Sequence, residues 1–356
     1  MGCHALDPKA IDRVFEAKER PRTDPLIVHV SCSEDALALW HVPENEEKRI
    51  LQTLMDAFWP GPLTLVVRAA PHVPSGLMAN TGYVACRCPS HALARRLINV
   101  AKVPIAAPSA NKFGHVSPTR AQHVWDDLQQ EDVWIIQGDK NKNKNEDDDE
   151  GGSCCHVGVE STVAKVTYES GGRPTITLLR QGAISGRAME ESLQTKREDE
   201  SSQGGEAIVV RSQTKASSPD NVATVAPGQT IRHYAPHVPS HMVSPHLFES
   251  SSSSLDLSST VVVDWGGRLK KWKSSCLAYT DLSKEGRSNE AAQGLFDTLR
   301  WAERVPNAKR ILFPQIEVKE HGDNNDPLVL ALADRLTRAA SGVVLEKEEE
   351  ESSDSK

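Results

Sequence analysis

Ala106-Ala107-Pro108-Ser109-Ala110-Asn111-Lys112-Phe113-Gly114-His115-Val116-Ser117-Pro118-Thr119 follows the short apolar run Val103 to Ile105. The run reads as a strand, and the stretch after it as a loop that ends in a helix capped by Thr119. Proline and glycine fix an irregular backbone there, while small polar side chains offer donors and acceptors without bulk. A polar loop between a strand and a helix belongs to an α/β fold and suits a polar ligand.

The alternation continues on both sides. Asp7 can cap a helix with Pro8 at its first position. Ile11, Val14 and Phe15 give that helix a core-facing stripe, and Pro21 bounds it near Arg20. No strand is expected before it. Strands are predicted over 25–30, 63–68, 82–88, 103–107, 133–137, 161–167 and 175–180. Helices are predicted over 34–40, 44–58, 90–100 (capped by Ser90) and up to Leu128. Trp59-Pro60-Gly61-Pro62 makes a rigid turn into the second strand. Further on, strands at 260–265, 276–282 and 310–316 alternate with helices at 289–305 and 328–340, which implies a small open α/β sheet.

These elements divide the chain into residues 1–195, a polar segment and linker over 196–240, a small α/β domain over 241–345 and an acidic tail over 346–356. Residues 139–153 form a charged insertion. Of the formal charge of −8, nearly all belongs to that insertion and the tail. The body is close to neutral, so no broad nucleic-acid surface is announced. The insertion and most of 190–221 are too polar to form a core, with one short apolar run at 207–210. The seven cysteines form no CxxC pair, which fits reduced structural thiols and no metal site. No apolar run approaches the roughly 20 residues of a membrane span.

Several residues could carry chemistry, each with a plainer alternative. Lys18 and Arg20 end a helix, where cations complement the helix dipole or clamp a phosphate. His29 in an apolar strand is a core histidine or a ligand contact. Arg87 alternates onto the face of Tyr83 and Ala85, opposite Val84, Cys86 and Cys88. It is solvated, or it holds a carboxylate. Ser161 and Thr162 start a strand as turn-formers or ligand contacts, and Arg180 ends one. No Walker loop, GxGxxG, HExxH or GxSxG appears. Phosphate binding would have to come from dispersed cations, hydroxyls and N–H groups.

Six ordered motifs then combine: Lys18-Glu19-Arg20-Pro21 with Pro25-Leu26, Trp59 to Thr64, Val84 to Pro89, Pro108 to Asn111 with Ser117 to Thr119, Gly158 to Val163, and Leu179 to Gly182. Together they resemble the YrdC-like L-threonylcarbamoyladenylate synthase family. The linker Arg232-His233-Tyr234-Ala235-Pro236 and the second domain are similar to its long, two-domain form. The resemblance implies a twisted mixed sheet with flanking helices, plus a small Rossmann-like C-terminal domain. It implies a nucleotidyltransferase that joins L-threonine, bicarbonate and ATP into threonylcarbamoyl-AMP and releases pyrophosphate, with Mg2+ entering on ATP. A separate enzyme then moves the threonylcarbamoyl group onto tRNA, and weak RNA contact is an expectation; with no signal in the sequence a cytoplasmic setting is the default, and organellar targeting stays open.

The resemblance assigns roles residue by residue. Lys18 and Arg20 would bind the triphosphate and act in catalysis. Asp24, Tyr83, Ala107, Ser109, Asn111 and Ser117 would line the ATP site, Tyr83 and Ala107 largely through main-chain groups. Arg180 and Tyr234 would close over the nucleotide. His29, Arg87 and Ser161 would hold threonine, with Arg87 at its carboxylate. The chain departs from the family in two ways. It lacks the strand and Pro-Thr-Glu-Thr segment that usually precede Gly2-Cys3, so a bare sheet edge and weakened activity are expected. Glu19 stands where a glycine is usual, beside the expected phosphate site. A non-catalytic nucleotide- or RNA-binding module is the competing reading. A hydrogenase-maturation carbamoyltransferase is disfavoured, because no acylphosphatase or CxxC region is present.

Overall fold

The computed structural model describes residues 1–42, 46–136, 157–167, 174–199, 209–212, 222–228, 231, 233–249, 255–318 and 326–346. The expected insertion at 139–153 and acidic tail lie outside these residues, apart from Glu346 at the tail's start. Two sheets organise the chain. The first contains β1 (Cys3–His4), β2 (Ile27–His29), β3 (Leu63–Arg68), β4 (Tyr83–Arg87), β5 (Ile105–Ala106), β6 (Thr162–Thr167), β7 (Thr175–Arg180) and β8 (Val209–Ser212). Their order is β1-β5-β2-β4-β3-β6-β7-β8, with parallel and antiparallel pairs mixed. The second contains β9 (Ser240–Val243), β10 (Thr260–Asp264), β11 (Ala278–Asp281), β12 (Arg310–Pro314) and β13 (Val344–Leu345), in the order β11-β10-β12-β9-β13. All its pairs are parallel.

Side-chain alternation separates the two faces of the first sheet. Val28, Leu65, Val84, Cys86, Ala164 and Leu178 face one core. That core is completed by α1 (Pro8–Lys18), α2 (Ser33–Leu39), α3 (Glu46–Phe58) and α6 (Gly186–Asp199). Ile27, Val66, Ala85, Val163 and Leu179 face the other way, under Val225 and Ala226. Arg87 therefore lies on the second face, as its alternation requires. Two further helices flank this unit, α4 (Ala92–Ala101) and α5 (Ala121–Leu128). In the second unit α7 (Pro245–Glu249) is short, while α8 (Ser288–Glu303) and α9 (Pro327–Ala339) pack with β10 and β12 around Val261, Val263, Ile311 and Phe313.

Some local expectations need correction. Cys3–His4 forms a two-residue strand before α1, where none was expected; it pairs antiparallel with β5 and is itself the edge of the sheet. His91, not Ser90, caps α4 through its ring nitrogen. Arg120 occupies the cap position of α5, and the Thr119 hydroxyl instead meets the His123 ring at 3.2 Å. Residues 133–136 form no strand; Trp134 and Ile136 are exposed, so the run has no sheet to join. The run at 207–210 contributes to β8, which adds to the first sheet beside β7. No helix among the described residues is long and apolar enough to cross a membrane.

Candidate active site

The loop after β5 is held from beneath by α1. Asp7 accepts the Lys9 N–H, Pro8 starts the helix, and Glu19 ends it in the left-handed region at φ 54°. That geometry aims Lys18 inward. Its ammonium, 1% exposed, donates to the Ser109 carbonyl at 2.6 Å and also to the Asn111 carbonyl. Burial, then Arg20, pulls its pKa down to about 7. Asn111 closes the loop on itself by donating to the carbonyls of Lys112 at 2.8 Å and His115 at 2.9 Å. Glu19 turns its exposed carboxylate to Lys112 at 2.9 Å, so the acid between the two cations is an outward cap.

Arg20 is buried with Asp24. Its guanidinium donates to the carbonyls of Asp24 at 3.0 Å and Pro25 at 2.7 Å, and pairs with the Asp24 carboxylate at 2.9 Å. Burial raises the Asp24 pKa, opposed by Arg20, Lys18 and Arg180 and by the Gly228 N–H. Lys18, Arg20 and Arg180 thus converge around one buried carboxylate, leaving a net positive region. His233 lies beside them and stays neutral, its pKa pushed well down by burial and by Arg20.

A second group stands on the sheet face that carries Ala85, Val163 and Leu179. Parallel pairing of β2 and β4 puts His29 level with Arg87. Burial, then Arg87, lowers the His29 pKa to about 3, so the imidazole is neutral. Arg87 donates to the Gly61 carbonyl at 2.8 Å, which ties it to the Trp59–Pro62 turn. Ser161 sits between Thr64, 2.7 Å away, and Arg180, whose guanidinium donates to its hydroxyl at 3.1 Å and its carbonyl at 3.0 Å. Tyr83 is half-buried on this face with Lys165 over its ring, and the Ala107 N–H is bonded to the Ile27 carbonyl.

The linker joins this face. Residues 222–228 run over it, with the Thr224 N–H on the Thr23 carbonyl at 2.9 Å. Tyr234 is 1% exposed at φ 59°, packed on Phe296 of α8. A Cβ on Gly228 would meet both the Tyr234 hydroxyl and the Arg180 side chain within 4 Å, which puts Tyr234 beside Arg180. Burial pushes the phenol up to about 12.

Four residues were missed in the sequence reading. Glu160 accepts from the Ser117 hydroxyl at 2.9 Å and pairs with Arg335 of α9 at 3.2 Å. Arg300 of α8 donates to the Val116 and Ser117 carbonyls and pairs with Asp127 at 2.9 Å. Thr64 supports Ser161. The available signal was a cation on an apolar helical stripe: Arg335 follows Leu332 by three and precedes Leu336, and Arg300 follows Leu299.

Known proteins resemble this chain in sequence and fold. Residues 1–149 match the Sua5/YciO/YrdC family, described as "Telomere recombination", and residues 184–341 match "Threonylcarbamoyl-AMP synthase, C-terminal domain". The fold is that of Pyrococcus abyssi Sua5 complexed with L-threonine, with 30% identity, a TM-score of 0.72, and 97% of this chain and 89% of that one covered. The chain belongs to the threonylcarbamoyl-AMP synthase family. A double alanine variant of the same archaeal protein, altered at a histidine and a tyrosine, superposes with a TM-score of 0.74 at 29% identity over 97% of this chain and 87% of that one. The threonylcarbamoyl-AMP synthases of P. abyssi and Bacillus subtilis are 36% and 34% identical over 66% and 67% of this chain. The chain spans 58% of the length of each.

Proposed function

We propose that this chain makes threonylcarbamoyl-AMP from L-threonine, bicarbonate and ATP. The observation that carries the proposal is that Arg180 joins a net positive group at the end of α1 (Lys18 and Arg20 around Asp24) to a polar group on the second sheet face (His29, Arg87, Ser161). The first suits a polyanion and the second a small amino acid; the solved threonine complex of the archaeal relative supports that substrate.

The neutral threonine amine attacks CO2 to give a carbamate and a proton, or bicarbonate to give the same carbamate with loss of water. A carbamate oxygen attacks the α-phosphorus, the bond from that phosphorus to the α,β-bridging oxygen breaks, and pyrophosphate leaves. No covalent enzyme intermediate is needed, so positioning and charge stabilisation do most of the work. Arg87 faces the threonine carboxylate. Neutral His29 leaves the amine unopposed by a second cation at that point. Ser109, Asn111 and Ser117, with the main chain at Tyr83 and Ala107, bound the nucleotide. Lys18 Nζ and the Nε and Nη2 of Arg20 already donate to protein carbonyls, so these cations act in part by their field and by shaping the loop. Mg2+ would enter on the triphosphate: Asp24 is the carboxylate among the cations and is paired with Arg20, so phosphate oxygens and water would supply most of the ion's ligands. Arg180 and Tyr234 cover the nucleotide and exclude water from a labile carbamate. The product is an activated acyl group that a separate transferase places on tRNA.

Pyrophosphate release should require threonine and bicarbonate as well as ATP. Release at the same rate without threonine would overturn the proposal.

A further inference from the structure

Arg335 is fully buried, and it belongs to α9 of the second sheet's unit, not to the unit that carries the candidate site. Besides the carboxylate of neighbouring Asp334, 3.2 Å from Nη1, its guanidinium reaches three places. Nε meets the Glu160 carboxylate at 3.2 Å. Nη1 donates to the Gln181 carbonyl at 2.6 Å. The guanidinium carbon stands 5.7 Å from the centre of the Tyr234 ring, within cation–π range.

Each place is one step from a different part of the site. Glu160 accepts from the Ser117 hydroxyl, on the nucleotide loop. Gln181 follows Arg180, which holds Ser161 on the threonine side. Tyr234 is the covering residue of the linker. The attachments are stiff. A Cβ on Gly182 would fall 2.3 Å from the Thr162 nitrogen, so the end of β7 and the start of β6 already touch backbone to backbone. Burial works to raise the Glu160 pKa, but Arg335 and Arg180 outweigh it and keep the carboxylate charged.

We infer that Arg335 is a positioning residue: from the second unit it sets Ser117 through Glu160, Ser161 through Gln181 and Arg180, and Tyr234 directly. A buried ion pair gains little net stability over an apolar contact of the same volume. Its directed bonds do fix the atoms at which they end. The second unit then completes the site without supplying a residue that touches substrate. This rests on the proposed function.

The test uses the full chain and four variants: Arg335→Met, which keeps the bulk; Arg335→Lys, which keeps the charge; Glu160→Gln; and Arg187→Met on the exposed face of α6 as control. Calorimetry measures binding of a non-hydrolysable ATP analogue with Mg2+, and separately of L-threonine, alongside thermal midpoints and pyrophosphate-release kinetics. Arg335→Met should weaken both ligands about tenfold or more, Arg335→Lys should recover part of that loss, and Glu160→Gln should weaken the nucleotide while leaving threonine within about twofold. Arg187→Met should change neither. If Arg335→Met fails to fold, the contrast between Arg335→Lys and Glu160→Gln carries the test. Unchanged dissociation constants in the Arg335 variants, with or without a lower thermal midpoint, would overturn the inference and leave the proposed function standing. A wild-type chain that binds neither ligand would overturn both.

Discussion

Gly158→Ala tests how tightly the two units are docked. Gly158 has φ +78°, a region an L side chain enters at a cost of about 1–2 kcal/mol. It also abuts α8. A Cβ there would lie 2.2 Å from the Ala292 oxygen, 2.4 Å from the Ala292 carbonyl carbon and 2.3 Å from the Gln293 Cα. All three are backbone, so no rotamer change relieves the clash and the helix itself must retreat. Overpacking of that kind costs about 1–3 kcal/mol. The two together give a loss of about 2–5 kcal/mol. Two other glycines separate the contributions. Gly82 has φ +76° and open space, so Gly82→Ala should cost only the conformational part. Gly76 has open space and no positive φ, so Gly76→Ala should be neutral or slightly stabilising. Urea unfolding, followed by tryptophan fluorescence and far-UV circular dichroism, gives the three values. Because α8 also carries Arg300, its retreat should loosen the Val116 and Ser117 carbonyls and lower pyrophosphate release. If Gly158→Ala costs no more than Gly82→Ala, the close approach of α8 is refuted.

Glu19→Gly should stabilise the chain by about 0.5–1 kcal/mol in urea unfolding, because a left-handed cap suits glycine and Lys112 keeps Glu131 as a partner; a loss of stability would contradict this. Lys18, lowered to about 7 when free, should regain its proton beside a triphosphate. Calorimetry in buffers of different ionisation enthalpy should then show uptake of close to one proton on binding the ATP analogue at pH 8, and no uptake would remove Lys18 from the nucleotide's surroundings. His115 bridges Asp127 of α5 at 2.9 Å and Glu303 of α8 at 3.0 Å, stacked on His237. Burial would lower its pKa, but the two carboxylates outweigh burial and raise it, against Arg300 nearby on Asp127. Its contribution to stability is therefore full below the unfolded value of about 6.5 and fades as pH rises through the higher folded value. The stability gap between wild type and His115→Gln should narrow above neutrality, whereas a gap independent of pH would exclude an imidazolium bridge.

Legibility followed sequence distance. The first helix was readable because its cap, its proline and the Ile11, Val14, Phe15 stripe lie within nine residues and agree. Arg87 was readable because period-two alternation settles its face without reference to any other strand. The strands β9 and β13 were missed. Each is short, and both gain their partners only once α8 and α9 have brought distant chain together. The strand expected over 133–137 failed for the complementary reason: an apolar run predicts a strand only where a sheet edge waits for it. Glu19 was read as an acid near phosphate, whereas its positive φ explains why glycine suits the position and why the carboxylate points away. The six motifs point to a candidate site face, yet they say nothing of Glu160, Arg300 or Arg335, whose partners include residues 43 to 184 positions away.

Those distant partners follow from a need the first unit cannot meet alone. An irregular loop such as 108–119 has no ladder to take up its carbonyls, and a buried carbonyl without a donor is costly. α1 supplies Lys18 to the carbonyls of Ser109 and Asn111. The linker supplies the Ala235 N–H to the Gly114 carbonyl at 2.9 Å. Arg300 takes Val116 and Ser117, and Arg335 takes Gln181. Guanidinium is suited to this task, since it carries several donors in a fixed plane and can reach two or three acceptors on different segments at once. The two arginines sit on apolar stripes of α8 and α9, where a cation is otherwise out of place, because the surface those helices face is the underside of the site's own loops.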